Sequence, residues 1–336
     1  MPKRVGKYTL DIENDVRILD NAAVVGHKEA EGPLAKYFDK TYSDDKFGED
    51  SWEKAESFLQ KSAVELALKK AKIDASSINY IFAGDLLNQC ISSTFGLRAL
   101  GIPFLGQYGA CSTMAQTIAM ASVFTDSFAA DRCAAVTSSH FCSAERQFRF
   151  PLEYGGQRTP TAQWTVTGSG AAILQRGGNG VKVKRITIGR ISDMGIKDAN
   201  NMGAAMAPAA AQTILDYFSD TKEKPGNFDL ILTGDLGMVG KTLLLELLEK
   251  EGLQISRQHN DCGLMIFDIN SQDVHAGGSG CGCSGSVFCS YVLQKMKTHE
   301  LKRVLFVATG ALMSPTSAQQ GESIPGVAHL IELEAE

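Results

Sequence analysis

The sequence predicts an α/β protein built from two duplicated halves, each a parallel or mixed sheet covered by helices. Two internal repeats carry this reading. INYIFAGDL at 78–86 returns as FDLILTGDL at 228–236, with Ile, Gly, Asp and Leu identical at matching places. Further on, ACSTMAQTIAMASVFTDSFAADRCAAVTSSH, a small-residue helix followed by an apolar strand, is echoed by CSGSVFCSYVLQKMKTHELKRVLFVATGA, with Arg132 and Arg303 each opening the strand. The second repeat is displaced further than the first, so the second half carries an insertion, around HNDCGLMIFDINSQDVHAGG. The halves are placed at 1–180 and 181–336. Ligands in such folds collect where the halves meet, at strand carboxyl ends and helix N-termini.

Along the first half, Ala55, Leu59, Ala63, Leu66 and Ala67 share one face of WEKAESFLQKSAVELALKKAKID, which predicts an amphipathic helix ahead of the first repeated strand. A helix-like run then ends at Leu100-Gly101-Ile102, and GIPFLGQY reads as a short buried strand opened by Gly101 and Pro103. Gly109 to Thr113 form a turn, after which Ala115, Ile118, Ala119 and Val123 recur at helical spacing. The strand through TSSH ends at His140, read as a histidine satisfied by its surroundings. TVTGSGAAILQ closes the half, and GGNG at 177–180 reads as a hairpin turn.

In the second half, Met206, Ala210, Ile214 and Phe218 stripe a helix begun by MGAAMAPAAA, with Pro208 near its first turn. The repeated strand FDLILTGDL follows, then a helix-like run to Glu251-Gly252-Leu253. GGSGCGCSG opens another helix, and VLFVATGALMSP and GVAHLIELEAE are the last two strands. Asp85 and Asp235 occupy the same place in each half and are expected to make the same turn or interface hydrogen bond.

Composition narrows the function. Of 336 residues, 44% are apolar and 21% charged, a globular balance, and the net charge of -5 argues against a nucleic-acid surface. MPKRVGKYTL lacks the apolar core of a signal peptide and no run is long enough to span a bilayer, so a soluble protein is expected. Eight cysteines without an export signal imply free thiols in a reducing compartment. His259-x-x-Cys262 with Cys281-x-Cys283 offers four soft ligands, but the spacing fits no ordinary zinc pattern, and neither a metal nor a cofactor is expected.

Cys111, in QYGACSTMAQ, is the candidate nucleophile. Backbone N–H groups and the positive dipole end at a helix start favour thiolate over thiol. The alternative for a lone cysteine is a small buried hydrophobe. Arg146, Arg149 and Arg158 in AERQFRFPLEYGGQRTP are able to steer an anion, but loops of this kind more often cross a dimer interface and pair with acidic neighbours.

Taken together, EGPLAKYFDKTY, AGDLLNQ, YGACST, TSSH, AERQFRFPLEYGGQ, TVTGSGAAIL, MGAAMAPAAA, LTGDL, HNDCGLMI, GGSGCGCS and VATGALMSPT resemble the thiolase and ketoacyl synthase superfamily and, within it, the stage V sporulation protein AD family. The resemblance runs from about residue 20 to the end. It implies a thiolase-like fold, two α/β halves with mixed five-stranded sheets and layered helices. It also implies what is missing. The superfamily's cysteine works with His/His, His/Asn or His/Cys partners that drive carbanion formation and hold an oxyanion. Here those places fall at Gly234 or Asp235, at Ser279, and at Ala308 or Thr309.

What the resemblance implies for function is a non-catalytic binding role, with Cys111 as the one catalytic candidate if any turnover exists. The expected ligand is dipicolinic acid (pyridine-2,6-dicarboxylate), free or as its calcium chelate, taken up in sporulation and released in germination through the SpoVA channel. Expected contacts are Cys111, His259, Asn260, Asn88, Gln89, Ser279 and Lys40. Further expectations are a homodimer joined at a sheet edge, SpoVA membrane proteins as partners, synthesis in the forespore cytoplasm and a peripheral place at the spore inner membrane. Two rivals are an acyltransferase using Cys111 with His259 and Asn260, and a scaffold with a vestigial pocket.

Overall fold

A computed structural model describes residues 1–148 and 158–335. Ten strands make two five-stranded mixed sheets: β1 Val16–Val25, β2 Tyr80–Gly84, β3 Phe104–Gly106, β4 Arg132–Ser139 and β5 Gly168–Arg176, then β6 Val181–Thr187, β7 Leu230–Thr233, β8 His259–Asp261, β9 Arg303–Ala311 and β10 Gly326–Glu334. The spatial order is β3-β2-β4-β5-β1 in the first and β8-β7-β9-β10-β6 in the second. In each sheet the first three strands pair in parallel and the last two join antiparallel. The topology therefore repeats strand for strand. The sheets touch through a short antiparallel pairing, Val181 with Ile18 and Lys182 with Arg17. Residues 9–11 pair with β6, so the amino terminus adds to the second sheet.

Side-chain alternation explains the layering. Because successive strand residues face opposite ways, Ala22, Val24, Ile81, Ala83, Ala134 and Val136 meet helix α1, Trp52–Ala71, on the outer face of the first sheet. Their neighbours Ala23, Val25, Phe82, Cys133 and Ala135 face inward. There they pack with Met114, Ala115 and Ile118 of α2, Thr113–Asp126. In the second sheet Leu305, Val307, Ala328 and Leu330 face outward to the long helix Met202–Thr221, while Phe306, Ala308, Ile331 and Leu333 face the same inner core. Two central helix starts, at Thr113 and Cys281, are thus held between two sheets.

Three local expectations are corrected. GGNG is not a hairpin turn: β1 lies between β5 and β6, so the turn carries the chain across β1 from one sheet into the other. GIPFLGQY is not a buried strand, since Phe104–Gly106 is exposed along its length at the sheet edge. Pro208 lies inside its helix rather than at the start, because Asn201 caps the helix by accepting from the Ala204 N–H at 3.3 Å. The expected arginine loop lies partly outside the described residues, Arg149 included. Arg146 pairs with Glu53, and Arg158 pairs with Asp273 at 3.1 Å while lying over the Trp164 ring.

Candidate functional site

The turn before α2 is locked by its own hydroxyls. Ser112 Oγ donates to Gly109 O at 2.7 Å, Thr113 Oγ1 donates to Ala110 O at 2.6 Å, and the Gly109 N–H donates to Thr113 Oγ1 at 3.1 Å. This holds Ala110 at φ +49°, a left-handed conformation that costs a side-chain-bearing residue about 1–2 kcal/mol. The end of β9 presses on the turn: a Cβ at Gly310 would sit 2.2 Å from Gly109 O, so only glycine fits there. The sequence thus spends packing and hydrogen bonds on aiming Cys111.

Cys111 opens into a cleft of about 520 Å³, mouth included. Tyr108, Phe148, Met202 and Met313 give apolar walls; Ser279, Thr165 and Glu145 add polar groups. Cys111 Sγ lies 4.0 Å from Ser279 Oγ. Ser279 Oγ in turn donates to Asp235 Oδ2 at 3.0 Å, the Gly280 N–H donates to the same oxygen at 2.8 Å, and Thr309 Oγ1 donates to Oδ1 at 2.9 Å. Asp235 is fully buried. Its carboxyl is held above the usual range by burial, against its hydrogen bonds. Burial likewise pushes the Cys111 thiol well up, and Asp235 beside it pushes it further.

Asp235 was not on the expected list, and its twin shows why. Asp85 does what a shared turn would require, accepting from the Leu87 N–H at 2.9 Å and from the Ser93 N–H and Oγ at 2.8 and 2.6 Å. Asp235 instead reaches across to the second glycine-rich turn and to β9. The strand ends LTGDL and AGDL, identical in Gly-Asp-Leu, carried no signal of this difference. Glu145 in the wall was also missed, although it sits in the singled-out AERQ run.

Of the expected contacts, Cys111 and Ser279 share the cleft. Asn88 and Gln89 line an adjoining cleft that shares Tyr108, Phe148 and Met313 with it. His259, Asn260 and Lys40 are not among its walls. The reason is topological: His259 and Asn260 lie in β8, the edge of the second sheet, where parallel pairing to β7 directs His259 Nε2 to Thr233 Oγ1 at 3.1 Å. Burial, then Lys241, holds His259 down to about 3, so the ring is neutral. The Lys40 ammonium lies 4.4 Å from the Tyr42 ring centroid. His140 Nε2–H donates to Asp45 O at 2.7 Å while its Nδ1 accepts from the Cys142 N–H at 3.1 Å, and the ring lies in a buried aromatic setting. Among the described residues no three His, Cys, Asp or Glu side chains are placed to hold a metal ion.

The helix starts differ from expectation too. The Ser112 and Thr113 N–H groups donate to Gly109 O and Ala110 O, and at the second turn the Gly280 and Gly282 N–H groups donate to Asp235 and Ser139 Oγ. These donors are used within the fold. Cys111 is consequently expected to react with iodoacetamide at pH 7.5 at least about tenfold more slowly than an exposed thiol, because only the thiolate attacks. Peptide mapping by mass spectrometry with and without denaturant checks this, and fast native labelling would contradict it.

With this geometry in hand, the comparisons are specific. A family model described as stage V sporulation protein AD matches residues 6–334. Stage V sporulation protein AD of Bacillus subtilis (strain 168) is 45% identical over 332 residues, covering 99% of this chain and 98% of that one. Among solved structures, 3-oxoacyl-[acyl-carrier-protein] synthase III of Aquifex aeolicus VF5 is 12% identical, covers 95% of this chain and 99% of its own, and superposes with a TM-score of 0.58. A variant of Xanthomonas campestris OleA is also 12% identical, with 98% and 99% covered and a TM-score of 0.61. At such identity these two share the fold, which is thiolase-like.

Proposed function

We propose, from the premise that this chain belongs to the stage V sporulation protein AD family, that it is a non-catalytic dipicolinic acid binding component of the spore SpoVA channel. The coarser statement is firm: the family is one of sporulation and the fold is thiolase-like. The observation that carries the finer reading is the pairing of Cys111 with Asp235 through Ser279. An acyl acceptor needs an accessible thiolate and a base near its working pH, and base help is typically worth about 10² to 10⁴ in rate. A thiol that burial and Asp235 hold in its protonated form does not meet the first need. The cleft nevertheless suits a small planar ring, with Tyr108 and Phe148 as flat walls and Cys111, Ser279 and Thr165 as polar groups at its base.

The acyltransferase alternative requires His259 and Asn260 at Cys111, and β8 holds them elsewhere. In our reading the ligand enters past Asn88 and Gln89 and arrives free or as its calcium chelate. No helix among the described residues is long and apolar enough to cross a membrane. Attachment to the spore inner membrane would then run through SpoVA membrane proteins. Calorimetry with dipicolinic acid, against an isomer whose carboxylates diverge, tests the proposal. Heat is expected from the first alone and is expected to vanish in Ala144→Trp, which fills the cleft. Equal heats, or a mass gain from acyl-CoA abolished by Cys111→Ala, would sink it.

A homodimer belongs to the same proposal. The outer edge of β3 pairs with no strand among the described residues, and Phe104, Leu105 and Tyr108 around it are 39%, 41% and 44% exposed. An open apolar edge invites a further strand unless something covers it. A second copy of this chain is the proposed cover. Leu105→Lys is expected to convert dimer to monomer in analytical ultracentrifugation, and a wild-type monomer at high concentration would refute the pairing.

A further inference from the structure

We propose that the Cys111 cleft admits an anionic ligand together with a proton, which the buried acids around its floor retain; this rests on reading the cleft as a dicarboxylate site. Its described lining holds one acid, Glu145, and no lysine, arginine or histidine. Beneath Ser279 lies Asp235. Asp235 accepts from the hydroxyls of Ser279 and Thr309 and lies beside the Cys111 thiol, and its charge also reaches the Cys262, Cys281 and Cys283 thiols and the Asp261 carboxyl of β8. No ion pair reaches Asp235 among the described residues.

A second acid pair flanks the wall. Asp85 precedes Leu86 of the lining, and Glu56 accepts from Ser143 Oγ at 2.8 Å, next to Ala144 of the lining, and from Ser138 Oγ at 3.0 Å. Gln60 Nε2 joins the pair by donating to Ser93 Oγ and Ser138 Oγ at 3.0 and 3.1 Å. At the helix starts the Ser112, Thr113, Gly280 and Gly282 N–H groups are already bonded within the fold. A dianion leaving water here meets carboxyls already shielded from solvent. Like charges in such a place are not ionised together; one site keeps a proton. Burial holds the Asp261 carboxyl up at about 7, with Asp235 adding to the shift.

The sign follows. If the complex holds more protons than the free protein, affinity weakens as pH rises, by up to about tenfold per pH unit for each proton. The test is calorimetry of the full chain with dipicolinic acid, which is fully ionised from pH 6.5 upward, in phosphate and in Tris. The buffers differ in ionisation enthalpy, so the difference in heat counts protons. Uptake of about half to one proton at pH 7.5 is expected, with Kd weakening by roughly tenfold to a hundredfold from pH 6.5 to 8.5. Asp235→Asn and Asp261→Asn are each expected to lower the count. Binding with identical heats in both buffers and a flat Kd overturns proton coupling but leaves the dicarboxylate site standing. Absence of binding at every pH overturns the site reading and this inference with it. Should either variant fail to fold, the wild-type proton count decides.

Discussion

Glu332→Ala is expected to lower the free energy of unfolding by about 3–5 kcal/mol, the cost of breaking a buried ion pair on one side. The Glu332 side chain is wholly buried in β10, where it accepts from Arg185 Nη1 at 3.1 Å, Arg303 Nη2 at 2.6 Å and Tyr217 OH at 2.7 Å. Those partners come from β6, β9 and the long helix Met202–Thr221, so one carboxylate ties three elements of the second half together. Its removal leaves two guanidiniums, 18% and 22% exposed, sharing Glu223, with Asp11 still paired to Arg185 at 2.7 Å. That residual pairing places the loss toward the lower end of the range. Urea unfolding followed by circular dichroism measures it. Asp131→Ala is the control: its pair with Arg176 has the acid 83% exposed, and a change under about 1 kcal/mol is expected. Equal effects in the two variants would refute the assignment.

Thermal stability is expected to fall as pH rises from 6.5 to 8, and the cause is buried acids rather than surface charge. Burial pushes Glu29 up to about 8, with Asp45 adding to the shift. Glu56 is also raised, first by burial and then by Asp85. The unfolded chain releases these protons at ordinary carboxylate values while the native state keeps them, so the native state binds more protons. Stability therefore declines with rising pH by about 1.4 kcal/mol per unit for each such group until its native value is passed. Below pH 6.5 the slope is opposed. Burial holds His259 down to about 3 and His329 down to about 4, and each yields stability as pH falls through the range in which the unfolded ring protonates. Calorimetric scans from pH 6.5 to 8 should show a falling midpoint, with a shallower fall in Glu29→Gln. A flat profile in the wild type would remove both acids from the account.

How much of this was legible in the chain varies with the range of the interaction involved. The α1 stripe was readable because helix periodicity is local: Ala55, Leu59, Ala63 and Ala67 are buried as expected, while Leu66 is half-buried. The strand repeats were readable because each strand's alternation is set by its own residues. GGNG was misread since a turn's residues do not say which strand lies beside it, and β1 had already taken the place between β5 and β6. His259 and Asn260 were drawn toward Cys111 by their chemistry, but they lie in the edge strand β8, the counterpart of β3, and not in an insertion.

The sequence by itself determined two α/β halves, the turn that presents Cys111, and the absence of histidine at the places where the resembling enzymes carry it. Those features are written in periodicity, repetition and residue identity, which need no knowledge of neighbours. Only the tertiary structure decided what replaced the missing partners. Asp235 meets Ser279 and Thr309 across 44 and 74 residues of chain, and Cys111 meets Ser279 across 168. Two aspartates at equivalent strand ends have different roles, one closing its own turn and the other underlying a cleft. The physical reason is that a buried carboxyl takes its hydrogen-bond donors and its protonation from whatever packs against it, and that packing is set by how the two halves dock.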